Sequence, residues 1–126
     1  MIFPEELKYT KTHEWVKFLD EKTAYIGITD YAQDQLGDLV FVNLPSISDA
    51  LEAGTAFADV ESVKAVSDVN APVTGTVAQV NDALADEPEL MNKAPYDAWF
   101  VLAEEITDTE ELMTAAEYEA FVAAEG

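Results

Sequence analysis

Lys64 is the residue whose type and position first suggest a specific chemistry. It is one of only six lysines in a chain without arginine, and its nearest charged neighbours in the sequence are Asp59, Glu61 and Asp68. Acidic neighbours that lie close favour the charged ammonium form. A Schiff-base nucleophile needs the neutral amine instead. The sequence therefore does not favour Lys64 as a catalytic nucleophile, although another enzyme could still acylate it.

Two interpretations of Lys64 follow from its surroundings. An exposed lysine on a hairpin can prevent edge-to-edge pairing of strands. In a chain with 26 acidic residues, however, Asp or Glu would serve that purpose equally well. The choice of a lone lysine therefore favours a requirement for the amine itself, as a covalent attachment point for a cofactor.

Other catalytic and metal-binding arrangements find little support in the sequence. His13 is the only histidine and is predicted to be a partly exposed strand residue, and the chain has no cysteine. Sites rich in histidine and thiolate metal sites are thus excluded. No G-x-S-x-G, P-loop or G-x-G-x-x-G motif occurs. We expect no catalytic residue and no metal site.

The charge of the chain limits the partners that it can bind. Its formal net charge is −20, so a nucleic acid or an anionic membrane surface would be repelled. The acidic surface serves either solubility, including in a high-salt habitat, or attraction of partners with basic surfaces. No apolar run approaches the ~18 residues of a membrane span. The N-terminus lacks the pattern of a secretory signal, and a cytoplasmic location is expected.

The segment around Lys64 has the pattern of a hairpin. Two β-like runs, 55–62 and 65–72, lie on either side of the lysine without an internal glycine or proline. Gly54 and Gly75 stand at nearly equal distances before and after it, and each is followed by threonine. This near symmetry predicts that Lys64 lies at a hairpin tip, with a glycine bend at the base of each arm.

The rest of the chain predicts a compact, mainly β domain over residues 1–126. Further strands are predicted at 13–19, 23–29, 39–45, 76–81 and 99–103. Residues 46–54 are predicted to be a polar loop, and 82–97 an irregular segment with a helical turn at 82–85. No linker or second domain is evident.

Short helices are predicted at the periphery and at the C-terminus. Residues 31–37 form a helix that Asp30 caps, with Gln33 in the capping-box position and Gly37 at its end. Two more capping boxes pair Thr107 with Glu110 and Thr114 with Glu117, before an amphipathic run at 118–124.

Five blocks of the sequence together resemble the glycine cleavage system H protein family, whose members carry lipoic acid. The blocks are 9-YTKTHEWV-16, 26-IGITDYAQDQLGD-38, 40-VFVNLP-45, 60-VESVKAVSDVNAPVTGTV-77 and 88-PELMN-92. The resemblance implies a barrel-sandwich hybrid, which is a flattened β-sandwich of the lipoyl-domain kind. It also implies that Lys64 carries lipoate in amide linkage, and that Glu61 and Gly75 are recognised by the lipoate ligase or lipoyl transferase.

The resemblance further implies a non-catalytic carrier role. The lipoyl arm would take an aminomethyl group from a pyridoxal-phosphate glycine decarboxylase and present it to a folate-dependent aminomethyltransferase. A dihydrolipoyl dehydrogenase would then reoxidise the arm. In the family the loaded arm folds back into a cleft, and the residues that match this cleft are Glu14, Thr12 and Asp68.

Two departures from the family pattern stand near the C-terminal strand. The segment 95-PYDAW-99 is one residue shorter than usual and lacks a glycine before the tryptophan, so a tighter loop is expected. The segment 100-FVLAEE-105 lacks a lysine that many members carry there, so any partner contact made by that lysine is absent.

Several other functions remain open from the sequence. A biotin carrier would usually set the lysine between methionines, whereas Val63 and Ala65 flank Lys64. The lipoyl domains of acyltransferases are shorter and lack the HEWV and ITDYAQ blocks. An unmodified acidic interaction module and a relay protein that donates lipoate to other enzymes also remain alternatives.

Overall fold

The computed structural model describes residues 1–125, and strands dominate this part of the chain. The strands are β1 (Lys8–Tyr9), β2 (Glu14–Phe18), β3 (Ala24–Ile28), β4 (Leu39–Asn43), β5 (Ala50–Leu51), β6 (Ala56–Ser62), β7 (Val66–Asn70), β8 (Val73–Val80) and β9 (Val101–Thr109). The helices are α1 (Asp30–Leu36), α2 (Ala83–Asp86), α3 (Leu90–Lys93) and α4 (Ala115–Glu125). The prediction of a mainly β fold with short peripheral and C-terminal helices is confirmed.

The strands form two antiparallel sheets. One has six strands in the order β1-β2-β3-β9-β8-β5, and the other has three in the order β4-β6-β7. Val16 and Ile26 from the larger sheet and Val42, Val60 and Val69 from the smaller one belong to the same buried cluster. Alternate residues of each strand thus face a shared core, as in a flattened sandwich.

A second buried cluster attaches the C-terminal helix. Tyr118 of α4 is fully buried, and its ring stacks on Tyr9 with the centroids 4.7 Å apart. Trp15 and Met113 belong to the same cluster. Aromatic burial of this kind is among the larger apolar contributions to stability, so α4 is firmly packed against β1 and β2.

The hairpin predicted around Lys64 is present as β6 and β7. Gly54 lies before β6 and has a φ of 86°, which confirms the predicted bend at that end. The other predicted bend is wrong, because Gly75 lies inside β8 rather than at a turn. A side chain at Gly75 would have its Cβ 2.6 Å from the carbonyl oxygen of Glu104 in β9. Gly75 is therefore needed for close approach of two backbones.

The ends of helix α1 agree only in part with those predicted from the sequence. The N-cap of α1 is Thr29, whose hydroxyl accepts from the N–H of Ala32, so the predicted cap is wrong by one residue. Gly37 ends the helix with a φ of 82°, as predicted. Asp30 instead lies in the first turn, where it accepts a hydrogen bond from the side-chain amide of Gln33.

The two capping boxes predicted near the C-terminus differ in outcome. Thr114 and Glu117 exchange side-chain to backbone hydrogen bonds at the start of α4, which confirms that box. Thr107 lies within β9, which extends well beyond the predicted end at residue 103. Pairing of β9 with β8 outweighs the local helix signal.

The shortened loop before β9 forms a single helical turn. The N–H groups of Asp97 and Ala98 both donate to the carbonyl of Ala94. The buried Trp15 indole donates to the carbonyl of Pro95 over 3.0 Å. These hydrogen bonds hold the shortened loop in one conformation. The loop leads into Phe100, whose N–H donates to the carbonyl of Ile26 in β3 over 2.7 Å.

We predict that Gly75→Ala lowers the free energy of unfolding by about 1–3 kcal/mol, because the added methyl group forces apart the backbones of β8 and β9. Urea denaturation measures this change. Gln79→Ala, at an exposed position of the same strand, is the control and should change stability by less than about 0.5 kcal/mol. Equal stability of the two variants would show that the close approach at Gly75 is not a constraint.

Candidate functional site

A tight turn of residues 62–65 presents Lys64 at the tip of the β6–β7 hairpin. The Ser62 hydroxyl accepts hydrogen bonds from the N–H groups of Lys64 and Ala65, each over 3.1 Å. The N–H of Val63 donates to the carbonyl of Asp38 over 3.1 Å, which ties the tip to the start of β4. The backbone at Lys64 is therefore fixed in place.

The side chain of Lys64 is exposed and free of ion pairs. Among residues 1–125, no carboxylate oxygen lies within 4.0 Å of its Nζ atom. The acidic residues that surround Lys64 in the sequence thus do not bind its ammonium group. The aliphatic part extends over the end of α1, because a Cβ placed on Gly37 would lie 3.2 Å from Lys64 Cε.

A cleft of about 410 Å³ adjoins the end of α1 over which Lys64 extends. Its walls come from the segment before β2, from one face of α1, from β7 and from the end of α4. The lining residues are Thr12, His13, Tyr31, Ala32, Gln35, Leu36, Ser67 and Glu125. Since Leu36 directly precedes Gly37, the cleft is within reach of a long group attached to Lys64.

Glu14 is buried next to Thr12, which is one of the residues that line this cleft. Its side chain is only 2% exposed. One carboxylate oxygen accepts hydrogen bonds from the hydroxyls of Thr10 and Thr12, and the other accepts from the N–H of Asn70 over 3.3 Å. Burial raises the pKa of Glu14 to about 7, although these hydrogen bonds oppose the shift. Glu14 and Thr12 are thus brought together as one polar group.

Asp68 is not brought to the cleft. In the pairing of β6 with β7, Val60 lies opposite Ser67, and Asp59 lies opposite Asp68. Because successive residues of a strand face opposite sides, Ser67 shares the inner face with buried Val60, whereas exposed Asp68 points outward. Ser67 lines the cleft at the place that the resemblance gave to Asp68.

Four residues to which the sequence assigned no role form a hydrogen-bonded chain next to the cleft. The ring of His13 contacts the Tyr118 hydroxyl through Nδ1 over 2.8 Å and the Glu125 carboxylate through Nε2 over 3.1 Å. The Tyr118 hydroxyl also lies 2.7 Å from the Thr29 hydroxyl. Burial lowers the pKa of His13, and the neighbouring Glu125 opposes this shift. The chain links α4 to the N-cap of α1.

The position of His13 was predicted incorrectly. It precedes β2 instead of lying within it, and its φ of 73° places it in the left-handed region. The only available signal was that His13 is the sole histidine. Its partners Tyr118 and Glu125 are more than 100 residues away in the sequence, so no local pattern could reveal them.

No metal site or membrane span is evident in the described part of the chain. Within residues 1–125 no group of three or more His, Cys, Asp or Glu side chains is arranged to hold a metal ion. None of the helices in the same range is long and apolar enough to cross a bilayer. Lys64 could hold a covalent cofactor, since this residue is exposed and lies near the cleft.

Comparison with known proteins gives a consistent result over nearly the whole chain. The family model "Glycine cleavage H-protein" matches residues 7–125. A glycine cleavage system H protein of Lachnoclostridium phytofermentans is 59% identical over 118 residues, which cover 94% of this chain and 93% of that protein. The corresponding protein of Nitratidesulfovibrio vulgaris is 51% identical over 126 residues, with 99% and 98% covered.

A solved structure supports the same relationship. The crystal structure of a glycine cleavage system H protein from Mycobacterium marinum superimposes with a TM-score of 0.90 at 37% sequence identity. The match covers 96% of this chain and 99% of that one. The expected barrel-sandwich architecture is thereby confirmed. The sequence and the fold together show that this chain belongs to the glycine cleavage H-protein family.

Proposed function

We propose that this protein is the lipoyl carrier of a glycine cleavage system and that Lys64 is its attachment site. The observation that carries the proposal is the placement of Lys64. Its amine is exposed, unpaired within residues 1–125, and held by a fixed turn beside a cleft of about 410 Å³. A lysine kept for surface charge alone would need neither the fixed turn nor the cleft.

The lipoyl group, when attached, supplies a dithiolane that accepts an aminomethyl group and two electrons. The protein itself holds and shelters that group and has no active site of its own. Ser62 fixes the origin of the arm. Gly37, which lacks a side chain, leaves room for the lysine stem to lie against the end of α1. Leu36 and Ala32 then offer an apolar wall to an arm that folds back.

Glu14 and Thr12 supply the polar end of the cleft in this proposal. The amine of the carried aminomethyl group is cationic at neutral pH. Thr12 lines the cleft, and its hydroxyl donates to the Glu14 carboxylate. Only this hydroxyl would therefore separate a cation bound beside Thr12 from the carboxylate. A nearby cation stabilises the ionised form of a buried carboxyl. The arriving amine would therefore convert Glu14 to the carboxylate that holds it.

The partners that we propose are those of the glycine cleavage system. They are a pyridoxal-phosphate glycine decarboxylase, a folate-dependent aminomethyltransferase, a dihydrolipoyl dehydrogenase, and a ligase or transferase that attaches lipoate. A net charge of −20 would attract basic surfaces on these enzymes and speed their encounter. We place the protein in the cytoplasm as a single domain, since a chain without cysteine suits a reducing compartment.

Lys64→Arg should fold normally and accept no lipoate, because arginine keeps the charge but offers no amine to acylate. The measurement is intact mass after incubation with lipoate, ATP and a lipoate–protein ligase. Lys93→Arg is the matched control and should gain one lipoyl group, as the wild type does. Recovery of lipoyl on Lys8, Lys11, Lys17, Lys22 or Lys93 of the Lys64→Arg variant would contradict the assignment.

Glu14→Gln should accept lipoate normally but lose the loaded aminomethyl group to water faster. The amide cannot take the negative charge, so a charge-assisted contact of ~1 kcal/mol or more is lost and the loaded lifetime shortens by about fivefold or more. Decay of the loaded form is followed by mass spectrometry. The control is Glu119→Gln, an exposed acid on α4, which should keep the wild-type lifetime.

The raised pKa of Glu14 predicts a specific pH dependence of stability. The group is more readily protonated in the folded than in the unfolded state, so its contribution is complete below about pH 4.5 and is lost as pH rises through about 7. The full loss is about 3 kcal/mol. Glu14→Gln should therefore gain stability relative to the wild type between these pH values in urea denaturation. Parallel pH profiles of the two proteins would contradict the burial of Glu14.

A further inference from the structure

The short connection between α1 and β4 supports the turn that carries Lys64. It consists of Gly37 and Asp38, which lie between the end of α1 and the start of β4. The Asp38 carbonyl accepts the N–H of Val63 over 3.1 Å. The stem of Lys64 lies against Gly37, where an added Cβ would be 3.2 Å from Lys64 Cε. The backbone of the turn and the lysine stem therefore both depend on where this α1–β4 connection lies.

The side chain of Asn92 in α3 binds the α1–β4 connection at both ends. Its amide oxygen accepts the N–H of Leu39 over 2.9 Å, and its amide nitrogen donates to the carbonyl of Gly37 over 2.9 Å. These two partners determine which end of the amide is the oxygen, because a backbone N–H only donates and a carbonyl only accepts. Asn92 thus holds the residue before Asp38 and the residue after it.

A further hydrogen bond joins Asn92 to α1 itself. The amide nitrogen of Asn92 also donates to Gln33 Oε1 over 3.0 Å. Gln33 in turn donates from Nε2 to the carboxylate of Asp30 over 2.8 Å, which fixes the orientation of the Gln33 amide. Both hydrogens of the Asn92 amide therefore have acceptors within the domain. This arrangement suits a residue that positions its neighbours and does not itself touch a ligand.

The helix that carries Asn92 is anchored in the main core. Met91, the preceding residue, is fully buried and belongs to the same cluster as Ile26 of β3 and Val60 of β6. A supporting side chain is effective only when packing holds its own backbone in place. The block 88-PELMN-92 thus supplies an anchor, Met91, and next to it the polar side chain that holds the α1–β4 connection.

We propose that Asn92 is a positioning residue for the lipoyl arm, an inference that rests on the proposed function. By holding the connection on both sides of Asp38, Asn92 fixes the carbonyl to which the turn is bound. It thereby determines where the stem of Lys64 leaves the domain. Asn92 acts through the backbone of its neighbours and does not contact the arm.

Asn92 also holds the helix that forms one wall of the cleft. Ala32 and Leu36 of α1 line the cleft, and Gln33, to which Asn92 is bonded, lies between them in the same helix. One side chain therefore fixes the origin of the arm relative to the wall against which the arm folds. Binding sites need such support to keep their geometry within about 0.5 Å. Loss of these hydrogen bonds should loosen the fit of a loaded arm.

The test compares two substitutions of asparagine by aspartate. Asn92→Asp keeps an oxygen for the N–H of Leu39 but removes both hydrogens that the amide donates. Asn81→Asp is the matched control. Asn81 is also half-buried, and its amide donates to a backbone carbonyl, that of Trp99, over 2.9 Å, but this bond holds the loop before β9 and not the α1–β4 connection. Unfolding curves establish that both variants fold.

The first measurement needs no lipoate. Hydrogen exchange of the Val63 amide is followed by NMR in the unmodified proteins, because the Asp38 carbonyl holds this N–H. Asn92→Asp should raise the exchange rate about tenfold or more, since the connection opens locally more often. Asn81→Asp should leave the rate within about twofold of the wild type. An unchanged exchange rate of Val63 in Asn92→Asp would overturn the proposal.

The second measurement is the lifetime of the aminomethyl-loaded form, followed by mass spectrometry on fully lipoylated protein. Asn92→Asp should shorten this lifetime about fivefold or more, the factor expected for one lost hydrogen bond, and Asn81→Asp should keep the wild-type lifetime. If Asn92→Asp does not fold, Gln33→Met removes one bond of Asn92 and should change both measurements in the same direction. A wild-type lifetime despite faster exchange of Val63 would overturn the proposal. Failure of lipoylated wild-type protein to accept an aminomethyl group would instead reject the proposed function.

Discussion

The antiparallel pairing of β6 with both β4 and β7 is the constraint on which the rest of this site depends. The register places Val60 and Ser67 on the inner face and Glu61 and Asp68 on the outer face. A slip of one residue would exchange the two sets, because side chains alternate between faces. The same pairing ends at the Ser62 turn, so it also determines that Lys64 lies outside both sheets.

Local patterns were sufficient for the elements that local interactions stabilise. The two β-like runs on either side of Lys64, without an internal glycine or proline, predicted the hairpin. The C-terminal capping box of Thr114 and Glu117 was confirmed by its hydrogen bonds. Gly37 was predicted to end α1 because a left-handed residue commonly ends a helix. The residues alone left open whether Lys64 is a surface charge or an attachment point, and only the family resemblance suggested lipoate as its cofactor.

Features that depend on distant parts of the chain were not accessible from the sequence. Gly75 has the spacing of a second bend, but its role comes from the backbone of Glu104 in another strand. The burial of Glu14 depends on Asn70 and on neighbouring threonines that cover it. Whether Asp68 faces the cleft depends on register, which one residue decides. The contacts of Gly75 with Glu104 and of Glu14 with Asn70 join residues that are far apart in the sequence, so no short sequence window contains them.

The contact of Lys64 with the end of α1 has a consequence for the unmodified protein. The last turn of α1 contains no basic residue of its own. The Lys64 ammonium, close to Gly37 at that end, therefore supplies the cation that complements the negative end of the helix dipole, worth about 0.3–1 kcal/mol at an exposed site. Formation of an amide on Nζ abolishes this charge. The lipoylation that we propose would thus remove a weak electrostatic attraction between Lys64 and the end of the helix, which would favour movement of the arm away from α1.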